Sequence, residues 1–374
     1  MIEDKLKLFS FFSGAGFLDL GFEDSGYEVL FANEFYKPFA HAYKSSRENM
    51  RREGPTCDFS GDDVTTLLIN KEKRKLRDLI KSQHSMSNFV GFIGGPPCPD
   101  FSVGGKNRGC EGDRGKLTAT YIQLICQLKP DFFLFENVKG LWKTNKHRAF
   151  YEEMKQELHN SGYMTTERLI NTLEYGVPQD RQRIILLGFK KGFLREIGKS
   201  VPKKEYIIKD LNWEKYISYS LQEIDKKPWP QTDPFKEGSK LRKIADVPEK
   251  LTVEYWFNQN KVKQHSNADD YFRPKSGLVR FQTIDEGDDS RKSFKRLHRW
   301  RYSPTAAYGN NEVHLHPYQP RRLSASEALA IQSLPPEFIL PDDMTLTDMF
   351  KTIGNGVPYL AAKSLAETIL NYLK

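Results

Sequence analysis

Gly94-Gly-Pro-Pro-Cys98-Pro-Asp-Phe-Ser102 directly follows the apolar run Phe89-Val-Gly-Phe-Ile93. The run is short, β-branched and aromatic, and Gly and Pro end it, which predicts a buried strand. Cys98 then sits on a stiff turn at the carboxyl end of that strand, where Pro96 and Pro97 remove donors and hold φ. Open α/β sheets bind ligands outside the carboxyl ends of their strands. The glycine- and charge-rich stretch from Val103 to Lys116 is of the kind that closes over a substrate. Two readings of Cys98 stand at this point: a reactive thiol, or a small buried hydrophobe like most free cysteines.

Working outward, the same pattern recurs. Leu6 to Phe12 reads as a first strand, Ser13-Gly14-Ala15-Gly16 as a glycine turn, and Phe17 to Phe22 as a helix. Glycines at such a helix N-terminus let a ligand approach the backbone. Tyr27 to Glu34 is a second strand ending in an acid. An acid there takes ribose hydroxyls, although Glu34 could also be merely exposed. Gly61-Asp62-Asp63-Val64-Thr65 is either a helix cap or a third strand end whose acid meets a base ring. Lys71 to Ser82 reads as a charged surface helix and Leu117 to Leu128 as a core helix.

Asp131 to Val138 is another buried strand, ending in Glu136 and Asn137. A carboxylate at the end of so apolar a strand is costly unless paired or used. Neighbouring parallel strands would bring Cys98 and Glu136 into one cleft. His147 to Ser161 is helical in pattern, and Tyr163 to Asn171 and Ile184 to Phe189 are strands. Between these strands Gln179, Arg181 and Arg183 alternate and share one face, which suits anion or base recognition or a surface ion-pair cluster. Ser324 with Glu327 forms a capping box opening an amphipathic helix. Gly354-Asn355-Gly356-Val357 precedes a last helix from Tyr359 to Tyr372.

Composition narrows the class. The chain has 374 residues, is 38% hydrophobic and carries a net charge of +8, enough for two domains with a real core. No apolar window approaches the ~18 residues of a membrane span, and Met1-Ile-Glu-Asp-Lys shows no signal pattern, so a cytoplasmic protein without membrane attachment is expected. Four cysteines, at 57, 98, 110 and 126, show no metal-site or disulfide spacing. Residues 191 to 301 hold 25 Lys and Arg against 17 Asp and Glu, which is the whole excess charge. That is how a polyanion-binding region looks, or a chance bias of a solvated surface. Four of the five Trp (213, 229, 256 and 300) fall in this loop-rich stretch, where they serve base stacking or a small core.

These motifs in this order resemble the DNA (cytosine-5)-methyltransferases of bacterial restriction–modification systems. The resemblance rests on Phe12-Ser-Gly-Ala-Gly16, Pro96-Pro-Cys98 with Phe101-Ser102, Glu136-Asn-Val138, Gln179-x-Arg181-x-Arg183, Arg322-Leu-Ser-x-x-Glu327-Ala and Gly354-Asn-Gly-Val357. It covers nearly the whole chain outside the basic segment. It implies an α/β, Rossmann-like S-adenosylmethionine-dependent methyltransferase fold built from 1–190 plus 301–374, with a smaller loop-rich target-recognition domain at 191–300. It implies a flipped-out cytosine in a short specific site of double-stranded DNA, a Cys98 covalent intermediate and Glu136 on the base. Arg181 would support the cytosine carbonyl edge, and Arg183 would orient thiol and base.

S-adenosyl-L-methionine, leaving as S-adenosyl-L-homocysteine, is implied to contact Phe12, Gly14, Ala15, Gly16, Glu34, Phe35, Asp63, Val64, Pro97, Asn355 and Val357. Asp63 is preferred to Asp62 for the adenine because the family's acid directly precedes an aliphatic residue and Thr. Ser102, Arg114, Gln179 and Thr305 are implied DNA contacts, with no metal. The resemblance also implies a cognate restriction endonuclease in the same system, with no stable complex expected, although the sequence does not say whether one accompanies this chain. One departure is plain: relatives carry Gln after the nucleophile, and this chain has Pro99, so the contact that fills the extruded base's space is in doubt. The rivals are an RNA cytosine-5 methyltransferase and a non-catalytic DNA binder. The long basic insertion and the missing Cys-Phe-Thr tripeptide oppose the first. Intact Cys98, Glu136, Gln179, Arg181 and Arg183 oppose the second.

Overall fold

The computed structural model describes residues 5–97, 113–274, 278–291, 293–306, 308 and 313–374. Seven strands form one sheet: β1 (Leu6–Phe11), β2 (Glu28–Asn33), β3 (Asp58–Ser60), β4 (Phe89–Gly94), β5 (Phe132–Val138), β6 (Tyr163–Asn171) and β7 (Gln182–Lys190). Their order is β3-β2-β1-β4-β5-β7-β6, with β7 antiparallel to both neighbours and the rest parallel. The helices are α1 (Phe17–Glu23), α2 (Lys37–Asn49), α3 (Asn70–Ser85), α4 (Asp113–Leu128), α5 (Lys139–Lys143), α6 (Asn145–Asn160), α7 (Lys191–Glu196), α8 (Leu221–Asp225), α9 (Val253–Gln259), α10 (Leu278–Thr283), α11 (Ala325–Ile331), α12 (Leu346–Asn355) and α13 (Tyr359–Leu373). A short pair, β8 (Lys295–Arg296) and β9 (His314–Leu315), lies outside the main sheet.

Strand alternation splits the core in two. Phe132 and Leu134 of β5 and Ile185, Leu187 and Phe189 of β7 face α1, α7 and α13. Phe133 and Phe135, with Ile184 and Leu186, face α3, α4 and α6. Both faces are covered, which is why these strands read as continuous apolar runs rather than alternating ones. Each fully buried Phe or Leu contributes about 1.5–3 kcal/mol relative to exposure. α1 and α13 cross so closely that a Cβ at Gly21 would lie 2.6 Å from the Cβ of Ala362. A third core joins Ala15, Phe17 and Leu20 to Phe39 and to α11 and α12, so the glycine turn is braced from the C-terminal region.

The basic segment is not uniform in its packing. Ile208 and Leu211 sit in the main core beneath the sheet, and Ile207 bridges to Thr165 of β6. Further on, Val253, Phe257 and Val262 pack on Leu323, Ala330 and Ile331. Several elements had no sequence expectation, among them α2, in a stretch that reads as irregular and charged, and α12, ahead of the Gly354 turn.

Candidate active site

The parallel order puts β1, β4 and β5 side by side. Phe11, Gly94 and Phe135 are in register, so Phe12, Gly95 and Glu136 line up at the carboxyl edge. Cleft and strand ends coincide there, as the open-sheet rule requires. Glu136 is only 8% exposed. Its Oε1 lies 2.9 Å from Nε of Arg183, which the antiparallel β7 delivers opposite Val138. A Cβ on Gly95 would stand 2.7 Å from the other carboxylate oxygen, so glycine is what leaves the carboxylate room. Pro96 is buried and Pro97 exposed. Cys98, three residues past Gly95, lies outside the described residues, as do Pro99, Ser102 and the Arg114 side chain.

Arg181 and Gln179 are fully buried behind this pair. A guanidinium N–H of Arg181 reaches the carbonyl of Ala306 at 3.4 Å, and the Ala306 N–H donates to Oε1 of Gln179 at 3.2 Å. Thr305 donates to the Asp180 carbonyl at 2.6 Å. Gln179, Asp180 and Arg181 therefore clamp the 303–306 segment to the entry of β7, while Arg183 faces Glu136. Burial, then the neighbouring Arg183 charge, holds Arg181 well below its usual basicity, with Glu136 opposing. Nε of Arg181, the amide nitrogens of Gln179 and Asn137 and the phenol of Tyr308 are buried without a hydrogen-bond partner. Such orphans are costly, and they surround the Glu136 edge.

The glycine turn lies beside this edge. Phe12, Gly14 and Gly16 all have φ between 54° and 77°, the left-handed region that favours glycine. The Gly14 N–H donates to Oε2 of Glu34 at 2.9 Å, and the Tyr36 N–H to its Oε1 at 2.7 Å. Burial raises the Glu34 carboxyl, against those two bonds and the Lys351 charge. No atom lies within 4 Å of where a Gly14 Cβ would be, so that side of the turn is open. Ser13 Oγ is buried without a partner, and the Phe35 ring is 63% exposed. Asp63 caps a 3-10 turn over Val64–Leu68, accepting from the Thr65 N–H and hydroxyl through Oδ1. Gly356 packs on the Phe17 ring, which brings exposed Asn355 and buried Val357 to the N-terminus of α1. Ala15 is buried in the adjoining core.

Below the turn is a charged network that sequence reading missed. Fully buried Asp19 accepts from Ser10 Oγ at 2.7 Å and from the Tyr43 hydroxyl at 2.9 Å. Arg47, one turn beyond Tyr43, donates to the Gly16 carbonyl at 3.0 Å and pairs with Glu23 at 3.2 Å. Burial raises the Asp19 and Glu23 carboxyls, and Arg47 opposes it. The signal was present in the i, i+4 pairing of Tyr43 and Arg47, but apolar periodicity does not register it. Among the described residues no His, Cys, Asp and Glu group is arranged to hold a metal, and no helix is long and apolar enough to cross a membrane.

Comparison with known proteins identifies the family. The family model of C-5 cytosine-specific DNA methylases matches residues 6–371. Type II methyltransferase M.NmeDI of Neisseria meningitidis serogroup C is 53% identical over 99% of this chain and 84% of its own length. Type II methyltransferase M.FnuDI of Fusobacterium nucleatum is 30% identical over 97% of this chain and 95% of its own. Among solved structures, S. pombe Dnmt2 methyltransferase superposes with a TM-score of 0.57 at 14% identity, covering 98% of each chain, a likeness of fold. Site, fold and sequence together place the chain in the C-5 cytosine-specific DNA methylase family, among the type II methyltransferases of restriction–modification systems.

Proposed function

We propose that the protein transfers a methyl group from S-adenosyl-L-methionine to carbon 5 of a cytosine flipped out of a short specific duplex site, through a covalent bond to Cys98. The observation that carries this is the Glu136–Arg183 pair at 2.9 Å, seated over Gly95 on the strand that leads to Cys98. The cytosine must leave the stack because its ring is out of reach within the duplex. The Cys98 thiolate bonds to carbon 6, and Glu136 holds ring N3 and the exocyclic amine as the enamine forms. Carbon 5 then gains the methyl group, loses its proton to solvent base, and the Cys98–carbon 6 bond breaks. Arg183 orients Glu136, and Arg181 carries its charge to the carbonyl edge. The spare amide donor of Gln179, with Thr305, Ser102 and Arg114, serves the flipped nucleotide and its flanking phosphates.

The turn residues suit the methyl donor. Glu34 is fixed at the tip of β2 as a ribose acceptor, Phe35 offers an exposed face to a base ring, and Asp63 with Val64 offers an edge to adenine. Phe12, Gly14, Ala15, Gly16, Pro97, Asn355 and Val357 close the methionine side. When bound, the donor supplies an electrophilic methyl group on its sulfonium. The region 191–300 serves as the target-recognition domain, with 1–190 and 301–374 as the catalytic domain, and the duplex lies between them. A cognate endonuclease cutting the same site completes the system.

The test is bisulfite sequencing of host plasmid after expression of wild type and Cys98→Ser. New 5-methylcytosine at one recurring site, absent with the variant, supports enzyme, nucleophile and target together. No mark from either protein refutes the DNA reading and redirects the search to RNA.

A further inference from the structure

Arg321 and Arg322 are adjacent and differ completely in what holds them. Arg321 lies against Glu327 at 2.7 and 2.9 Å and also donates to the Gln319 side chain. Arg322 has no hydrogen bond from its guanidinium and no carboxylate beside it among the described residues. Its one contact is the ring of Phe272, 5.1 Å from the guanidinium carbon. Four other arginines of this region have an oxygen partner, Arg296 several backbone carbonyls, Arg299 the Glu286 carboxylate, Arg301 Asp289 and Arg291 Asp288, while Arg280, which has only a ring contact with Phe294, is exposed to water. Arg322 is also half-buried, and that burial alone depresses its basicity, with no neighbouring charge contributing. A cation partly removed from water without a counter-ion is unfavourable until an anion supplies one.

Its position says which anion. Arg322 pairs in a backbone bridge with Leu315, beside the β8–β9 pair. Phe272 packs on Phe350 at 5.5 Å and Phe350 on Tyr308 at 5.3 Å. Tyr308 stands against Gly354 and close enough to Arg181 to feel its charge. One guanidinium-to-ring step and two ring-to-ring steps therefore connect Arg322 to Tyr308, beside Arg181. An anion met at that remove from a flipped base is a backbone phosphate of the same duplex. A guanidinium stacked on an aromatic face and held flat is shaped for bidentate phosphate contact.

We infer that Arg322, set over the Phe272 ring and without a carboxylate partner among the described residues, is a phosphate-binding residue that registers the duplex on the enzyme. It rests on the proposed action on DNA and deepens it. Phosphate contacts position a protein on DNA without reading sequence, so Arg322 sets where the duplex lies and leaves base choice to others.

The experiment measures binding of the full chain to two labelled duplexes, one carrying the methylated site and one scrambled, across about 50 to 200 mM salt. Each phosphate contact contributes about 0.9 to the slope of log K against log salt. Arg322→Gln, which keeps the side-chain stem on Phe272, flattens the slope by about 0.9 on both duplexes, and Arg322→Lys restores it. An unchanged slope with Arg322→Gln overturns the inference. So does a loss confined to the specific duplex, which would make Arg322 a base reader, or a fall in the unfolding midpoint with the slope intact, which would make it a packing residue. If the wild type itself binds neither duplex, it is the reading of the whole protein that fails, and the two failures are distinct.

Discussion

Arg47→Met tests what holds the cofactor-side turn in place. Arg47 is 1% exposed and sits between the Gly16 carbonyl at 3.0 Å and the Glu23 carboxylate at 3.2 Å, next to Asp19. Methionine fills most of the volume but leaves two buried carboxyls and one carbonyl facing apolar atoms. Removing one partner of a buried ion pair costs about 3–5 kcal/mol, roughly a fifth or more of a typical total stability of about 5–15 kcal/mol. Urea unfolding followed by tryptophan fluorescence should show that loss as a lower midpoint. The sign of the pH dependence is a second check. Asp19 and Glu23 already have carboxyls raised above 3.8 and 4.5 in the folded chain. A raised carboxyl binds its proton more tightly folded than unfolded, so its favourable contribution is full below those ordinary values and is lost as pH rises through the folded ones. Removing the guanidinium raises them further, so the penalty of Arg47→Met grows as pH rises above the ordinary carboxyl range. A penalty under about 1 kcal/mol, the size of an exposed pair, or one independent of pH, refutes the network as a buried electrostatic brace.

Two further expectations concern other parts of the sheet. Gly95→Ala places a methyl group 2.7 Å from a Glu136 oxygen. It displaces a side-chain end rather than backbone, so single-turnover methylation should fall on the order of 100-fold, as for an ångström-scale misplacement, with the unfolding midpoint nearly unchanged. At the opposite end of β5, His84 hydrogen-bonds Asp131 at 2.8 Å, which raises its pKa above 6.5, with Lys190 opposing and Glu196 assisting. That stabilisation is present below 6.5 and is lost as pH rises through the folded value. Being half-exposed, it is worth under about 1 kcal/mol, and His84→Gln should lower the thermal midpoint at pH 6 while leaving it unchanged at pH 9.

The sheet was legible because both of its faces are covered. Phe132 to Phe135 and Ile184 to Phe189 alternate between two cores, and uninterrupted apolar runs have few other homes. β6 was read from Tyr163 to Asn171, the range the structure has. α2 was not legible, because beside Phe39 and Ala42 its inward face carries Tyr43, Ser46 and Arg47, and the partners of Tyr43 and Arg47, Asp19 and Glu23, lie on α1. α12 was hidden by the glycines at its end. Of the site, Glu136 and Arg183 were both singled out, but their direct pairing depends on β7 running antiparallel, which no single segment encodes. The likeness of 191–217 to the rest of the basic segment was compositional. Ile208 and Leu211 nevertheless join the main core, since two apolar side chains suffice to seat a loop that composition calls charged.

The crossing of α1 and α13 has a consequence for how the chain is made. The Tyr27 hydroxyl bonds the carbonyl of Ala366, 339 residues away, and Gly21 lies directly against Ala362 and Lys363. At roughly 5–20 residues per second of synthesis, α1 waits on the order of 20–70 s for its partner. During that time Leu18 and Phe22, both destined for the core, stand open on the nascent chain. Because α1 packs on α13, this core is completed only after nearly all of the chain between them has been made.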